Sequence, residues 1–281
     1  MEDVPLRWPP YDCEGGALVH LVGTAHLSKA SCAKVSEVIR KVRPRVVCVE
    51  LCKERRGLLQ EDSETVRSQK GSILGVLGGG KNAFEVLYSF LLDRAGRDLE
   101  AAPGEEFRVA LREARNCGAK FCFADRPVSV TVQRVWTALS FFGKVKLAYF
   151  LIKASFSFDG TEEDDLNACI EDKEVMSDLM SAFAKEFPEL VRPLIIERDL
   201  YMTHQLRAIS EQLSPVVAVV GAGHLPGIRE SWEKEIEIDE ISRPRPSPAH
   251  RAMTTGPAIC LCLAAAAALG GVLVRYKTSI R

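Results

Sequence analysis

Short apolar runs ending on glycine or on an acid alternate along this chain with longer stretches of helical spacing. ALVHLVG (Ala17 to Gly23) reads as a buried strand from its length and its terminal glycine. In the stretch that follows, Ala33, Val35, Val38, Ile39 and Val42 recur near helical spacing; Ser28 can cap the start and Pro44 stops the helix. RVVCVEL (Arg45 to Leu51) is a second strand, so a strand, helix and strand occupy about 30 residues, a βαβ unit that requires a parallel pair. Residues 53–115 predict helices, two of them joined by a flexible turn at Gly78, Gly79 and Gly80, as an insertion that caps a site. Lys120 to Pro127 is a third strand, ending in Asp125 and Arg126. Val132 to Ala154 predicts a helix with Val135, Leu139, Phe142 and Val145 on one stripe. Its Arg134, Lys144, Lys146 and Lys153 form either a solvated basic edge or a face for lipid headgroups. Further helices are expected over 162–213, a fourth strand over Ser214 to Gly221, and an edge strand in EIEIDEI (235–241). The fold class expected is α/β: a central, mostly parallel sheet with helices on its faces, a helical insertion and a C-terminal transmembrane helix.

The transmembrane expectation comes from Ala252 to Val274, which carries no charge. At about 1.5 Å per residue such a helix is roughly 35 Å long, enough for a hydrocarbon core of about 30 Å. An Ala-rich core helix is the other reading, but the Pro-rich SRPRPSPAHR (242–251) separates the segment from the domain. The division expected is therefore an α/β domain over 1–241, a linker over 242–251, a tail anchor over 252–274 and a basic tail over 275–281. The moderately apolar span with basic flanks suits the mitochondrial outer membrane, with the endoplasmic reticulum or another intracellular membrane as the alternative, and the domain facing the cytosol. Ala267 and Gly271 either support helix pairing, and so a homodimer, or are simply small residues in a weak span.

Composition alters this picture little. The 281 residues are 47% hydrophobic and 27% charged, with a net charge of −1, which gives no general pull on nucleic acid. The nine cysteines form no paired framework and Met1 to Asp12 has no apolar secretory core, so the thiols are expected to be reduced. Cys48 with Cys52 and Cys117 with Cys122 have spacings conceivable for zinc, but Cys48 and Cys122 lie within apolar strands, where buried thiols are the ordinary reading.

The chemistry lies at the strand ends. LVGTAHL (21–27) and VVGAGHL (219–225) write the same strand-to-histidine junction twice. The four strands end by delivering His26, Glu50, Asp125 with Arg126, and His224. In open parallel sheets such groups converge in one crevice outside the carboxyl ends of the strands. Gly23 and Gly221 are expected to supply backbone freedom beside that pocket. Taken singly, each histidine, Glu50 or Asp125 is equally readable as a satisfied polar residue, a cap or a turn former. GAGHLPG lacks the downstream length for a dinucleotide fold, and no Gly-x-Ser-x-Gly elbow occurs.

GTAHLSKASCAKVSEVIRKVRPRVVCVELCKER, then ADRP, ERDLYM and VVAVVGAGHLPGI, together resemble the TraB domain family, related to PrgY and the Tiki proteins, over roughly Val19 to Ile241. The resemblance implies a metal-dependent protease-like site with both GxxH histidines and a glutamate, which by position are His26, His224 and Glu50. It also points to Arg55, Asp125, Arg126, Glu197, Arg198 and Asp199 as the family's other polar positions. Two imidazoles and a carboxylate can hold Zn²⁺ with one position left for water, and Mn²⁺ or Co²⁺ suits added oxygen ligands. Arg198 or Arg126 would then stabilise an oxyanion or clamp a carboxylate, Asp199 would orient an Arg or His, and Asp125 is counted with them among the catalytic residues. Without metal, one histidine would act as general base, oriented by Glu50. Arg45 stands where the family commonly has Asp, and no Tiki-type secretory signal is present. The function expected is a membrane-held, metal-dependent hydrolase acting on a peptide or small carbonyl compound; the alternative is a non-catalytic adaptor or tether binding a protein partner.

Overall fold

The structure, a computed structural model, describes residues 3–8, 16–24, 29–59, 104–147, 149 and 184–244. Five strands form one sheet: β1 (Asp3–Trp8), β2 (Ala17–Thr24), β3 (Val46–Val49), β4 (Lys120–Phe123) and β5 (Val216–Gly221), in the order β1-β2-β5-β3-β4. β1 runs antiparallel to β2; the pairs β2–β5, β5–β3 and β3–β4 are parallel. VVCV of β3 and VVAVVG of β5 are buried at every position, because strands covered on both faces have no solvent side to leave polar.

Alternation along the strands sorts the two faces. Val47, Val49, Val217 and Val219 pack in one cluster with Val35, Val38 and Ile39 of α1 (Lys29–Val42) and Phe107, Val109, Ala110 and Ala114 of α2 (Glu105–Asn116). Val46, Cys48, Val216, Ala218 and Val220 face the other way, onto Met202 and Leu206 of α5 (Glu197–Gln212) and Ile228 of α6 (Leu225–Ser231). Two shorter helices, α3 (Val128–Ala138) and α4 (Pro188–Val191), precede α5, which follows directly on a turn of π-helix at Arg192–Ile196; α7 (Ile238–Ser242) comes last. The β2–α1–β3 unit is as the spacing predicts, except that β5 inserts between its two strands. That insertion brings the end of β5 between the ends of β2 and β3.

Several expectations are corrected. The fold class loses its transmembrane helix: among the described residues no helix is long and apolar enough to cross a membrane. The longest of them, α5, has 16 residues and buries Glu197, Asp199 and Arg207, which suits a protein core and not lipid. The segment 252–274 that carried the expectation lies outside the described residues, with Ala267 and Gly271 and the homodimer built on them. So does the greater part of the helical insertion. EIEIDEI does not add a strand; it leads into α7, whose end is held by arginine side chains reaching the Glu240, Ile241 and Arg243 carbonyls. The sheet edge beside β2 is taken instead by β1, whose Val4, Leu6 and Trp8 alternate with Asp3, Pro5 and Arg7; Leu6 and Trp8 pack against the core, and an edge strand tolerates Pro5. The helix expected over Val132 to Ala154 is interrupted: α3 ends at Ala138, Leu139 follows with an extended ψ of 133°, and helix resumes over 141–147. The stripe is broken there: Leu139 is buried and Phe142 is 82% exposed.

Candidate functional site

Four ionisable residues from separate elements meet above the carboxyl ends of β3, β4 and β5. Glu50 follows β3, Asp125 follows β4, His224 closes the short turn after β5, and Arg198 comes from the first turn of α5. Arg198 is the hub. Its Nη2 donates to Glu50 Oε1 at 2.5 Å and to Asp125 Oδ2 at 2.9 Å, while its Nε donates to Asp125 Oδ1 at 3.1 Å. Arg55, from the turn after β3, donates to Asp125 Oδ2 at 2.8 Å. The second oxygen of Glu50 accepts the Gly221 backbone N–H at 2.6 Å, tying the end of β3 to the end of β5.

His224 lies between two carboxylates. Its Nδ1 is 2.5 Å from Asp199 Oδ1 and its Nε2 is 3.0 Å from Glu50 Oε1. Burial presses its pKa down, but the hydrogen bonds to Asp199 and Glu50 outweigh that and lift it to about 9, so the ring is an imidazolium at neutral pH. Burial likewise raises Asp199, against the lowering effect of His224. The carboxylates of Glu50, Asp125 and Asp199 thus face the cations of Arg55, Arg198 and His224. Matched charge of this kind is what lets so many ionised groups leave bulk water together.

Two glycines make the approach possible. A Cβ on Gly227 would lie 1.9 Å from Asp199 Oδ2, so only glycine at that position of α6 admits the carboxylate that holds His224. A Cβ on Gly23 would lie 2.5 Å from Leu225 Cδ1, so Gly23 allows β2 and α6 to close together. Gly221 serves otherwise than expected: its φ of −60° is ordinary, and it contributes its N–H to Glu50. The GAGHLPG spacing contains the sign of Gly227, but nothing in the sequence ties it to Asp199.

Arg126 and Glu197 belong to a separate buried cluster. Arg126 is fully buried and donates to Glu197 at 2.9 Å, to Thr131 at 3.0 Å, and to the carbonyls of Pro193 and Ile241 at 2.7 and 3.1 Å. With every nitrogen of its side chain engaged there, it is placed away from the oxyanion role expected of it. Arg134, expected on a solvated or lipid-facing edge, is buried and donates to both oxygens of Glu197 at 2.5 and 2.7 Å. Burial raises Glu197, but Arg134 and Arg126 overcome it and hold the acid at about 2.

The metal expectation named His26, His224 and Glu50. His26 lies outside the described residues, and among the described residues no group of three or more His, Cys, Asp or Glu is arranged to hold a metal ion. The two remaining ligands face each other, but Arg198 Nη1 is 3.3 Å from His224 Nε2 and its Nη2 contacts Glu50. The guanidinium already lies against both side chains that would hold a metal, and a second cation there would meet like charge. These described side chains do not fit Zn²⁺, Mn²⁺ or Co²⁺ as arranged.

Known proteins resemble this chain over most of its length. The family model described as TraB/PrgY/gumN matches residues 12–236. The chain is 37% identical over 263 residues to the TraB domain-containing protein of Bos taurus, covering 85% of this chain and 69% of that one. It is 36% identical over 255 residues to the Mus musculus protein of the same name and 35% identical over 255 residues to the Homo sapiens one, covering 81% of this chain and 66% of each relative. The chain thus spans about two thirds of the length of these relatives. Glu50, Asp125, Arg198, Asp199 and His224 all lie inside the matched span, and on that match the chain belongs to the TraB/PrgY/gumN family.

Proposed function

We propose that this domain is a hydrolase of peptide-like or small carbonyl substrates, in which Glu50 and His224 work as a proton-accepting and proton-donating pair. The observation that carries the reading is the position of His224: charged, 3.0 Å from Glu50, and held from behind by Asp199 at the carboxyl edge of a parallel sheet. Ligands of open α/β sheets bind at that edge. Glu50 takes a proton from the attacking water as the water oxygen bonds to the carbonyl carbon. The imidazolium gives its Nε2 proton to the leaving group as that bond breaks, and the proton on Glu50 then returns to His224, restoring both groups. Asp199 fixes which nitrogen faces the substrate. Arg198 holds Glu50 and Asp125 in place; with its nitrogens committed to protein acceptors, it acts as a positioning residue.

The test is turnover of a panel of fluorogenic peptides, amides and esters by the full chain, with and without a chelator and with added Mn²⁺, Co²⁺ or Zn²⁺. Turnover is expected to be insensitive to chelator and to fall by about 10²–10⁴-fold in His224→Gln. Chelator sensitivity with metal rescue would replace this mechanism by a metal-dependent one. A folded protein with no turnover on any member of the panel would favour the binding role of an adaptor.

A further inference from the structure

Cys48 and Cys122 stand apart from the site chemistry but directly beneath it. They are Cα partners in the register of β3 and β4. Both side chains lie on the α5 face of the sheet, Cys48 within that core cluster and Cys122 packed against it. Adjacent strands are about 4.8 Å apart, inside the Cα separation of roughly 4.4–6.8 Å that a disulfide spans. We propose that Cys48 and Cys122 are a redox-active dithiol that a hydroperoxide converts to a cross-strand disulfide.

The two sulfurs are suited to different halves of the reaction. Cys122 is partly exposed on β4, the last strand in the sheet order, where an oxidant can reach it; Cys48 is fully buried. The hydrogen bond from Cys48 holds the Cys122 thiol down to about 6, with Lys120 adding to the effect, so Cys122 is a thiolate at neutral pH. Cys48 is pushed well above the usual thiol range by the same contact and by burial, so it keeps its proton until the second step. In the first step the Cys122 thiolate attacks one oxygen of the hydroperoxide. The O–O bond breaks, Cys122 becomes a sulfenic acid, and the released hydroxide or alkoxide takes a proton. In the second step Cys48 loses its proton and its sulfur attacks the Cys122 sulfur; the S–O bond breaks and water leaves. The two cysteines have lost two electrons and the peroxide has gained them. Glu50 lies two residues beyond Cys48 and Asp125 three beyond Cys122, so the bridge would join the roots of two site carboxylates.

The experiment is exposure of the full chain to hydrogen peroxide at neutral pH, followed by differential thiol alkylation and peptide mass mapping. Expected is a Cys48–Cys122 linked peptide, with both thiols lost together and both restored by dithiothreitol. In Cys48→Ser, Cys122 is expected to stop at a sulfenic acid that dimedone traps; in Cys122→Ser, Cys48 should remain alkylatable after denaturation. Wild-type protein that accumulates Cys122 sulfenic or sulfinic acid while Cys48 stays free, or that shows neither thiol oxidised before the other cysteines, would overturn the proposal. None of these readings depends on turnover, so they stand or fall separately from the hydrolase reading.

Discussion

At the scale of single residues, the environment of His224 makes a prediction that needs no substrate. Asp199 at 2.5 Å is one of the two carboxylates that raise its pKa, and Asp199 holds that place only because position 227 has no side chain. Gly227→Ala should displace the carboxylate. Overpacking of this kind typically costs about 1–3 kcal/mol. The diagnostic effect is on protonation: NMR titration of the His224 ring should show its pKa falling from near 9 toward the free value of about 6.5. An unchanged titration in a folded Gly227→Ala variant would remove Gly227 from the positioning role. Arg198→Lys makes a matching case. A lysine ammonium cannot reproduce the two-nitrogen contact with Asp125, so turnover should fall even though the charge is kept.

Elements contribute through what they bring within reach. α5 is the main carrier: its first turn supplies Glu197, Arg198 and Asp199 in succession, directed to two different clusters. Arg198 and Asp199 serve the candidate site, while Glu197 is the counter-ion shared by Arg126 of the β4–α3 connection and Arg134 of α3. Those two arginines in turn cap the end of α7. Removing the shared acid leaves two buried guanidiniums without their countercharge, so Glu197→Gln should lower unfolding free energy by about 3–5 kcal/mol. Chemical denaturation measures this. A loss below about 1 kcal/mol would mean that the cluster opens to water on mutation.

For the whole molecule, the two clusters set the limits of stability against pH. The pKa of His224 is raised on folding, so its contribution is complete below the unfolded value near 6.5 and is lost as pH rises through about 9. The pKa of Glu197 is lowered on folding, so its contribution is complete above about 4.5 and is lost as pH falls through about 2. Thermal melts across pH should therefore show a plateau between roughly 4.5 and 6.5, with limbs on either side. The alkaline limb between 6.5 and 9 should flatten in His224→Gln, leaving the acid limb intact; a limb that survives the substitution would assign it to another group.

Much of this architecture was legible in the chain itself. Continuous apolar runs marked β3 and β5 because strands buried on both faces exclude polar side chains, and the spacing of Val35, Val38 and Ile39 marked α1 because one helical face must meet the sheet. The strand ends named Glu50, Asp125 and His224 for the same reason: an ionisable group closing a buried strand needs a partner. β1 was hard to see, since its alternation of Val4, Leu6 and Trp8 with Asp3, Pro5 and Arg7 is only six residues long and contains a proline, and the break at Leu139 has no proline or glycine at it as a signal. Which charges pair was decided only in three dimensions. Arg126 and Arg198 look alike in sequence, yet one is consumed by Glu197 and the other joins Glu50 to Asp125. Sequence alone determined the alternation that makes an α/β sheet, because hydrophobic periodicity is local. Only the tertiary structure decided the ion pairs and the fit of Gly227 against Asp199, because those contacts join residues from elements whose order in space, with β5 set between β2 and β3, is not their order in the chain.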